Sequence, residues 1–308
     1  MKISRKILGL ITTSLVATVL SVLVAMWISE TYFFDNLYYY KSVKHGYWVP
    51  NGNLELKDFG QRGNDLTLLF ESIHNSQRGI LGLQTDENIF TIAVLGDSYV
   101  WGQGIREEDR FAHLLGTRLN KLKPTSIISL GNSGDGFLDN YIKYLYITKN
   151  RRIDLAIFGV LDNDLLIREQ NLYDDDIQQK ILASCAKPIV IDSPKPRSLV
   201  NYKREVKQSY DRSNFGNWCV FEKSLENLPK IQTIFFNYGE NFGNPDLLNE
   251  FTGHLVENGF SVLSEKINIS DKNMLRVSNR DGHPSAYANR IFADILFESI
   301  SSLDYFRK

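Results

Sequence analysis

Thr91-Ile92-Ala93-Val94-Leu95-Gly96-Asp97-Ser98 is the stretch on which the fold turns. A short apolar and β-branched run, of strand length, leads straight into a glycine, an acid and a serine. A serine just past such a strand stands at the carboxyl edge of a sheet, where α/β proteins place their chemistry. Some 180 residues later, Asp281-Gly282-His283-Pro284 supplies an imidazole with a carboxylate two residues upstream. Together the two segments offer nucleophile, base and orienting acid, the parts an acyl-transfer site needs.

Outward from this strand the chain alternates. Asp109–Leu122 carries Phe111, Leu114, Leu115 and Leu119 at helical spacing, and Ser126–Leu130 reads as a second strand. A helix over Leu138–Thr148, a strand over Asp154–Val160 and a strand over Ile231–Asn237 come next. Asp246–Asn258 predicts a helix, Phe260–Leu263 a short fifth strand, and Ser285–Ile300 the closing helix. Strands alternating with helices imply a mainly parallel sheet wound on both faces by right-handed crossovers. The expected fold is therefore a three-layer α/β/α domain, flavodoxin-like in its winding. The rhythm breaks between Leu165 and Pro229, which holds Asp174, Asp175, Asp176, three prolines and both cysteines. So long a stretch predicts an insertion with its own secondary structure, including a strand over Lys187–Ile191. Placed after the third strand, it rises from the catalytic edge and suits a lid or a substrate platform.

The amino end differs. From Ile7 to Ile28 there is no charged residue, a run of 22, and a helix of that length spans roughly 33 Å, enough for a hydrocarbon core. Lys2, Arg5 and Lys6 precede the run and only Lys41 comes within fifteen residues after it. That bias places the first residues in the cytoplasm and the rest across the membrane. A cleaved signal peptide is the alternative, but the run exceeds the usual apolar core of about 7–15 residues and is not succeeded by a clean A-x-A site. The expected organisation is an anchor at 1–29, a stalk and domain flank at 30–88, and the α/β domain at 89–308, with 165–229 inserted. The chain is expected to be single-pass in the cytoplasmic membrane, with that domain on the outer side.

Composition narrows the rest. With 43% hydrophobic and 23% charged residues the chain has material for a sizeable core, and a net charge of −1 offers no field for nucleic acid. Cys185 and Cys219 fit either one disulfide or two buried thiols, since spacing cannot show that their β-carbons meet. No Cys-x-x-Cys or ligand-type spacing calls for a metal, and no cofactor is expected. The acid triplet at 174–176 reads as a solvated loop. His45, His74, His113 and His254 show no partner pattern.

Four segments fall at predicted strand ends or before the last helix: Gly96–Gly104, Gly131–Gly136, Gly159–Asp164 and Asp281–Pro284. At this point residues 90–300 resemble an SGNH (GDSL-type) hydrolase, with all four blocks in family order. Gly96-Asp97-Ser98 with Gly102 and Gly104 is similar to the first block, Gly134 to the second-block glycine, Asn163-Asp164 to the third-block pair, and Asp281 with His283 to the fourth. The resemblance implies Ser98 as nucleophile, His283 as general base and Asp281 as the acid orienting it. It further implies an oxyanion hole of the Ser98 and Gly134 backbone N–H groups and the Asn163 side-chain amide. Acid and histidine are spaced Asp-x-His rather than Asp-x-x-His, and Gly159 stands four residues before Asn163. Taken alone, Asn163-Asp164 also fits a helix cap. Tyr99 and Trp101 suit either the core or a stacked sugar.

The activity the resemblance implies is ester hydrolysis through an acyl-enzyme. With an outward-facing anchor, the resemblance implies O-acyl, above all acetyl, esters of envelope carbohydrate as substrate, with lipid esters second. Transfer of the acyl group to a sugar hydroxyl, or glycan binding without catalysis, are the alternatives.

Overall fold

The computed structural model describes residues 17–18, 20–24, 80–81 and 89–307, apart from 103–104, 106–108, 132–133, 151, 169–175, 187, 189, 192–206, 211–215, 230, 240, 265–271 and 278–281. Residues 1–48 and 49–308 form two units. In the first, residues 17–18 and 20–24 are helical. Among the described residues no helix is long and apolar enough to cross a membrane. Most of the 7–28 run, expected as an anchor, lies outside them.

The second unit is built on a six-stranded sheet among the described residues. Its strands are β1 (Ile80–Leu81), β2 (Phe90–Leu95), β3 (Thr125–Ser129), β4 (Leu155–Val160), β7 (Gln232–Asn237) and β8 (Ser261–Ser264), in the order β1-β3-β2-β4-β7-β8. Every pairing is parallel except β1 with β3. Leaving β1 aside, the order is that of a flavodoxin-like winding. The five strands expected from the sequence are all present, within a residue or two of their expected ends. β1 departs from expectation. It lies in the segment read as stalk and flank, yet Ile80 pairs with Ile128 and Leu81 with Ile127. Two residues are too few to show a strand period, so only the pairing identifies them.

Helices cover both faces. They are α1 (Ser98–Trp101), α2 (Phe111–Leu119), α3 (Phe137–Asn150), α4 (Asp176–Ser184), α5 (Gly216–Glu226), α6 (Pro245–Glu257), α7 (Ala286–Ser301) and α8 (Asp304–Arg307). Successive strand residues point to opposite faces, and β7 shows both. Phe236 packs against Phe111 of α2 and Phe292 of α7. Phe235 packs against Phe158 and against Phe137 of α3, with Phe221 of α5 and Phe251 of α6 behind them. Three layers result. The closing helix starts where Ser285 accepts from the Ala288 N–H, and α6 where Asn244 accepts from Asp246 and Leu247 ahead of Pro245, each cap worth about 1 kcal/mol.

The stretch between Leu165 and Pro229 carries strands and helices of its own among the described residues. β5 (Ile167–Arg168) and β6 (Val190–Ile191) form a separate parallel pair, and α4 and α5 pack together. Cys185, just after α4, and Cys219 of α5 form a disulfide with Cα atoms 5.7 Å apart. Closing a loop of 34 residues restrains the unfolded chain by about 3–4 kcal/mol.

Candidate active site

The site grows from the carboxyl ends of three neighbouring strands. β2 lies between β3 and β4, so the segment holding Ser98 is flanked by those holding Gly134 and Asn163. The chain leaves β2 through Gly96, and Asp97 then caps α1, its Oδ1 accepting from the Tyr99 N–H at 2.9 Å. Ser98 is thus the first residue of a short helix rather than part of an open loop. Arg110, 2% exposed, fixes the far end of α1 by donating to the Val100 carbonyl at 3.0 Å.

His283 comes from the other end of the chain. The Val277 N–H donates to the His283 carbonyl at 2.9 Å and the Ser285 N–H to the Leu275 carbonyl at 2.8 Å, an antiparallel clasp centred on Arg276 and Pro284. The buried Asn289 ties that clasp inward. Its Nδ2 donates to the Pro284 carbonyl at 3.2 Å, and its Oδ1 accepts from the Phe111 N–H at 3.0 Å. The imidazole thereby lands with Nε2 2.9 Å from Ser98 Oγ. Asp97 Oδ2 lies farther from that hydroxyl, at 3.4 Å. With Nε2 as acceptor, the serine proton points at the base, as nucleophilic attack requires.

A serine hydroxyl and an imidazole paired at the carboxyl edge of a parallel sheet are what a serine nucleophile and its base require. Ser98 and His283, 185 residues apart in the chain, are brought to hydrogen-bond distance. Asp281 lies outside the described residues. Gly134, half-buried, has a φ of +83°, a conformation an L-residue adopts only at a cost, so the loop turns there on a glycine. Asn163 stands in the turn after β4. The turn leads into β5, not into a helix, so the helix-cap reading of Asn163-Asp164 is corrected. Tyr99 is half-buried, its ring edge-on to Tyr238, Phe242 and His283, whereas Trp101 is a core residue at 3% exposure.

Two features of the site were not read from the sequence. Gly159 makes room for a buried ring: a β-carbon there would lie 2.0 Å from the Tyr238 hydroxyl. The second is Asp164, 4% exposed. Its Oδ2 accepts from the Leu161 N–H at 2.8 Å and its carbonyl from the Phe137 N–H at 2.8 Å, so it closes the Asn163 turn and joins it to α3. Burial, with nearby Asp97 adding to it, pushes the Asp164 carboxyl well above the usual carboxylate range. Burial also raises Asp97, opposed by the Tyr99 N–H and by His283 and Arg168.

A carboxyl with a raised folded pKa binds its proton more tightly in the native state. Its contribution is therefore full at low pH and is lost as pH rises from the ordinary carboxylate value through the folded one. Asp164→Asn keeps an acceptor for the Leu161 N–H and removes this titration. The thermal midpoint of the variant relative to the unsubstituted protein is expected to climb with pH across that window. A difference independent of pH would show that Asp164 does not carry the linkage.

No family model matches the chain, and no curated protein matches it. Among solved structures it is similar to a protein described as lipolytic and of the G-D-S-L family from Desulfitobacterium hafniense DCB-2, at 15% identity over 68% of this chain and 98% of that one, TM-score 0.39. It is also similar to a carbohydrate esterase with divergent catalytic and non-catalytic binding functions, at 14% identity over 73% and 68%, TM-score 0.41. A third is TesA, at 12% identity over 68% and 97%, TM-score 0.41. Identity and TM-score are low for all three, so nothing about activity or substrate passes from these proteins to this chain.

Proposed function

We propose that the protein is a membrane-anchored serine esterase that removes O-acyl groups, acetyl above all, from carbohydrate of the cell envelope. The observation that carries this reading is the 2.9 Å pair of Ser98 Oγ and His283 Nε2 at the sheet edge. Ser98 attacks the ester carbonyl carbon as its proton passes to His283, and the tetrahedral oxyanion collapses as the sugar oxygen leaves with that proton. Water, deprotonated by His283, then attacks the acyl-enzyme and releases the acid and the free serine. Asp281 orients the imidazole through Nδ1. The oxyanion is received by the N–H groups of Ser98 and Gly134 and the amide of Asn163, donors each worth roughly 3–4 kcal/mol.

Two observations support the location. Leu20, Val22, Leu23 and Val24, inside the uncharged run, are half or more exposed on a helical segment, as suits a helix surrounded by lipid. The Cys185–Cys219 disulfide fits an oxidising compartment outside the cytoplasm. Membrane vesicles carrying the full chain test substrate and orientation together. Right-side-out vesicles are expected to release acetate from added O-acetylated polysaccharide, which cannot cross the bilayer, and inverted vesicles only after permeabilisation. The reverse pattern would overturn the orientation. Turnover of p-nitrophenyl acetate without acetate release from the polysaccharide would overturn the substrate class.

A further inference from the structure

The loop from Leu130 to Gly136 is held from two sides. On one side α3 grips it: Lys143, 4% exposed, donates from Nζ to the Leu130 carbonyl at 3.0 Å and pairs with the buried Asp135. Asp139 accepts from the Gly136 N–H at 2.8 Å. This side belongs to the α/β domain. The other side belongs to the insertion. Arg168, the last residue of β5, donates from Nη1 to the carbonyl of Gly134. β5 starts directly after the Asn163 turn and is paired with β6, Arg168 lying opposite Ile191. The insertion reaches that turn a second time, where the buried Asn217 of α5 donates from Nδ2 to the Leu165 carbonyl at 2.7 Å. Two residues beyond Asn217, Cys219 is bonded to Cys185.

We propose that Arg168 is a positioning residue for the oxyanion hole: from the inserted β5–β6 pair, its guanidinium holds the Gly134 carbonyl, so that the backbone cannot turn freely at Gly134 and the N–H of that residue keeps its direction. This rests on the reading that the Gly134 N–H receives the oxyanion. A glycine at φ +83° has wide backbone freedom of its own, so its peptide groups need outside restraint to stay aimed. With Leu130 and Asp135 held by Lys143, the Gly134 carbonyl is a further group to fix, and Arg168 fixes it. A planar guanidinium suits the task, since it stays charged and keeps its donors in a rigid fork. It also lowers the carboxyls of Asp97 and Asp164 against the effect of burial, which places its charge beside the nucleophile's loop. The insertion is thereby a working part of the site.

The test uses the full chain with Arg168→Gln and Arg168→Lys, p-nitrophenyl acetate kinetics, and hydrogen exchange of the segment 130–136 without substrate. A misplacement of about 1 Å at a catalytic group costs on the order of 10²-fold in rate. Arg168→Gln is expected to lower kcat by about that factor with KM within roughly twofold. The pH at which the basic limb of the profile begins should stay in place, the segment should exchange faster, and Arg168→Lys should recover part of both losses. Wild-type kcat in Arg168→Gln would overturn the proposal, as would unchanged exchange in the segment. Should Arg168→Gln fail to fold, Arg168→Lys carries the same two measurements. Failure of the esterase reading shows separately, as lack of ester turnover in the unsubstituted protein, and the exchange measurement then decides whether Arg168 restrains the loop.

Discussion

Ser98→Ala is expected to abolish hydrolysis of p-nitrophenyl acetate, with kcat falling on the order of 10⁶-fold, while the far-ultraviolet circular dichroism stays that of the parent. The two halves of this expectation have different physical origins. Activity depends on one hydroxyl oxygen, placed 2.9 Å from His283 Nε2, and alanine offers no atom to attack or to be deprotonated. Structure around that oxygen is held by other groups. The cap of α1 comes from the Asp97 carboxylate accepting from Tyr99, the far end of α1 from Arg110, and the position of His283 from the clasp with residues 275–277. Removing Oγ breaks none of these. Wild-type turnover in Ser98→Ala would end the serine-esterase reading, and loss of the dichroism signal would mean that Ser98 had a structural load which its surroundings do not reveal.

Much of this arrangement was legible because it is local. The strand from Phe90 to Leu95 announces itself by composition, and the helices from Phe111, Pro245 and Ala286 by apolar spacing. The Ser98 and His283 segments were found because each carries its chemistry within three or four consecutive residues. The features that escaped the sequence are non-local. Gly159 looked like a motif glycine out of place, and its reason is the Tyr238 hydroxyl, supplied by residues 79 positions later. Nothing in the sequence singles out Lys143, which is buried against Asp135. Arg168 and Asn217 sit in a stretch without clear period, and their bonds to Gly134 and Leu165 arise from tertiary packing alone. The cysteines could not be paired on spacing, because only the packing of α4 and α5 brings their Cα atoms together.

Asn163→Ala is expected to lower kcat by about 10²–10³-fold with little change in KM, because an oxyanion donor bonds most strongly in the transition state. The turn that carries Asn163 bears on this expectation in two ways. Its geometry is secured by bonds that alanine leaves in place: Leu161 N–H to Asp164 Oδ2 at 2.8 Å, Leu166 N–H to the Asn163 carbonyl at 3.0 Å, and Asn217 to the Leu165 carbonyl at 2.7 Å. The turn also leads into β5 rather than a helix, so the loss of about 1 kcal/mol that removing a helix cap would cause does not apply. The thermal midpoint of Asn163→Ala should therefore stay close to the parent while turnover falls. Turnover near the parent value would take Asn163 out of the site and leave Gly134 and Ser98 as the remaining candidate donors. A matched fall in kcat and midpoint would instead show that the asparagine side chain holds the turn, and Asp164 with it, rather than the substrate's oxygen.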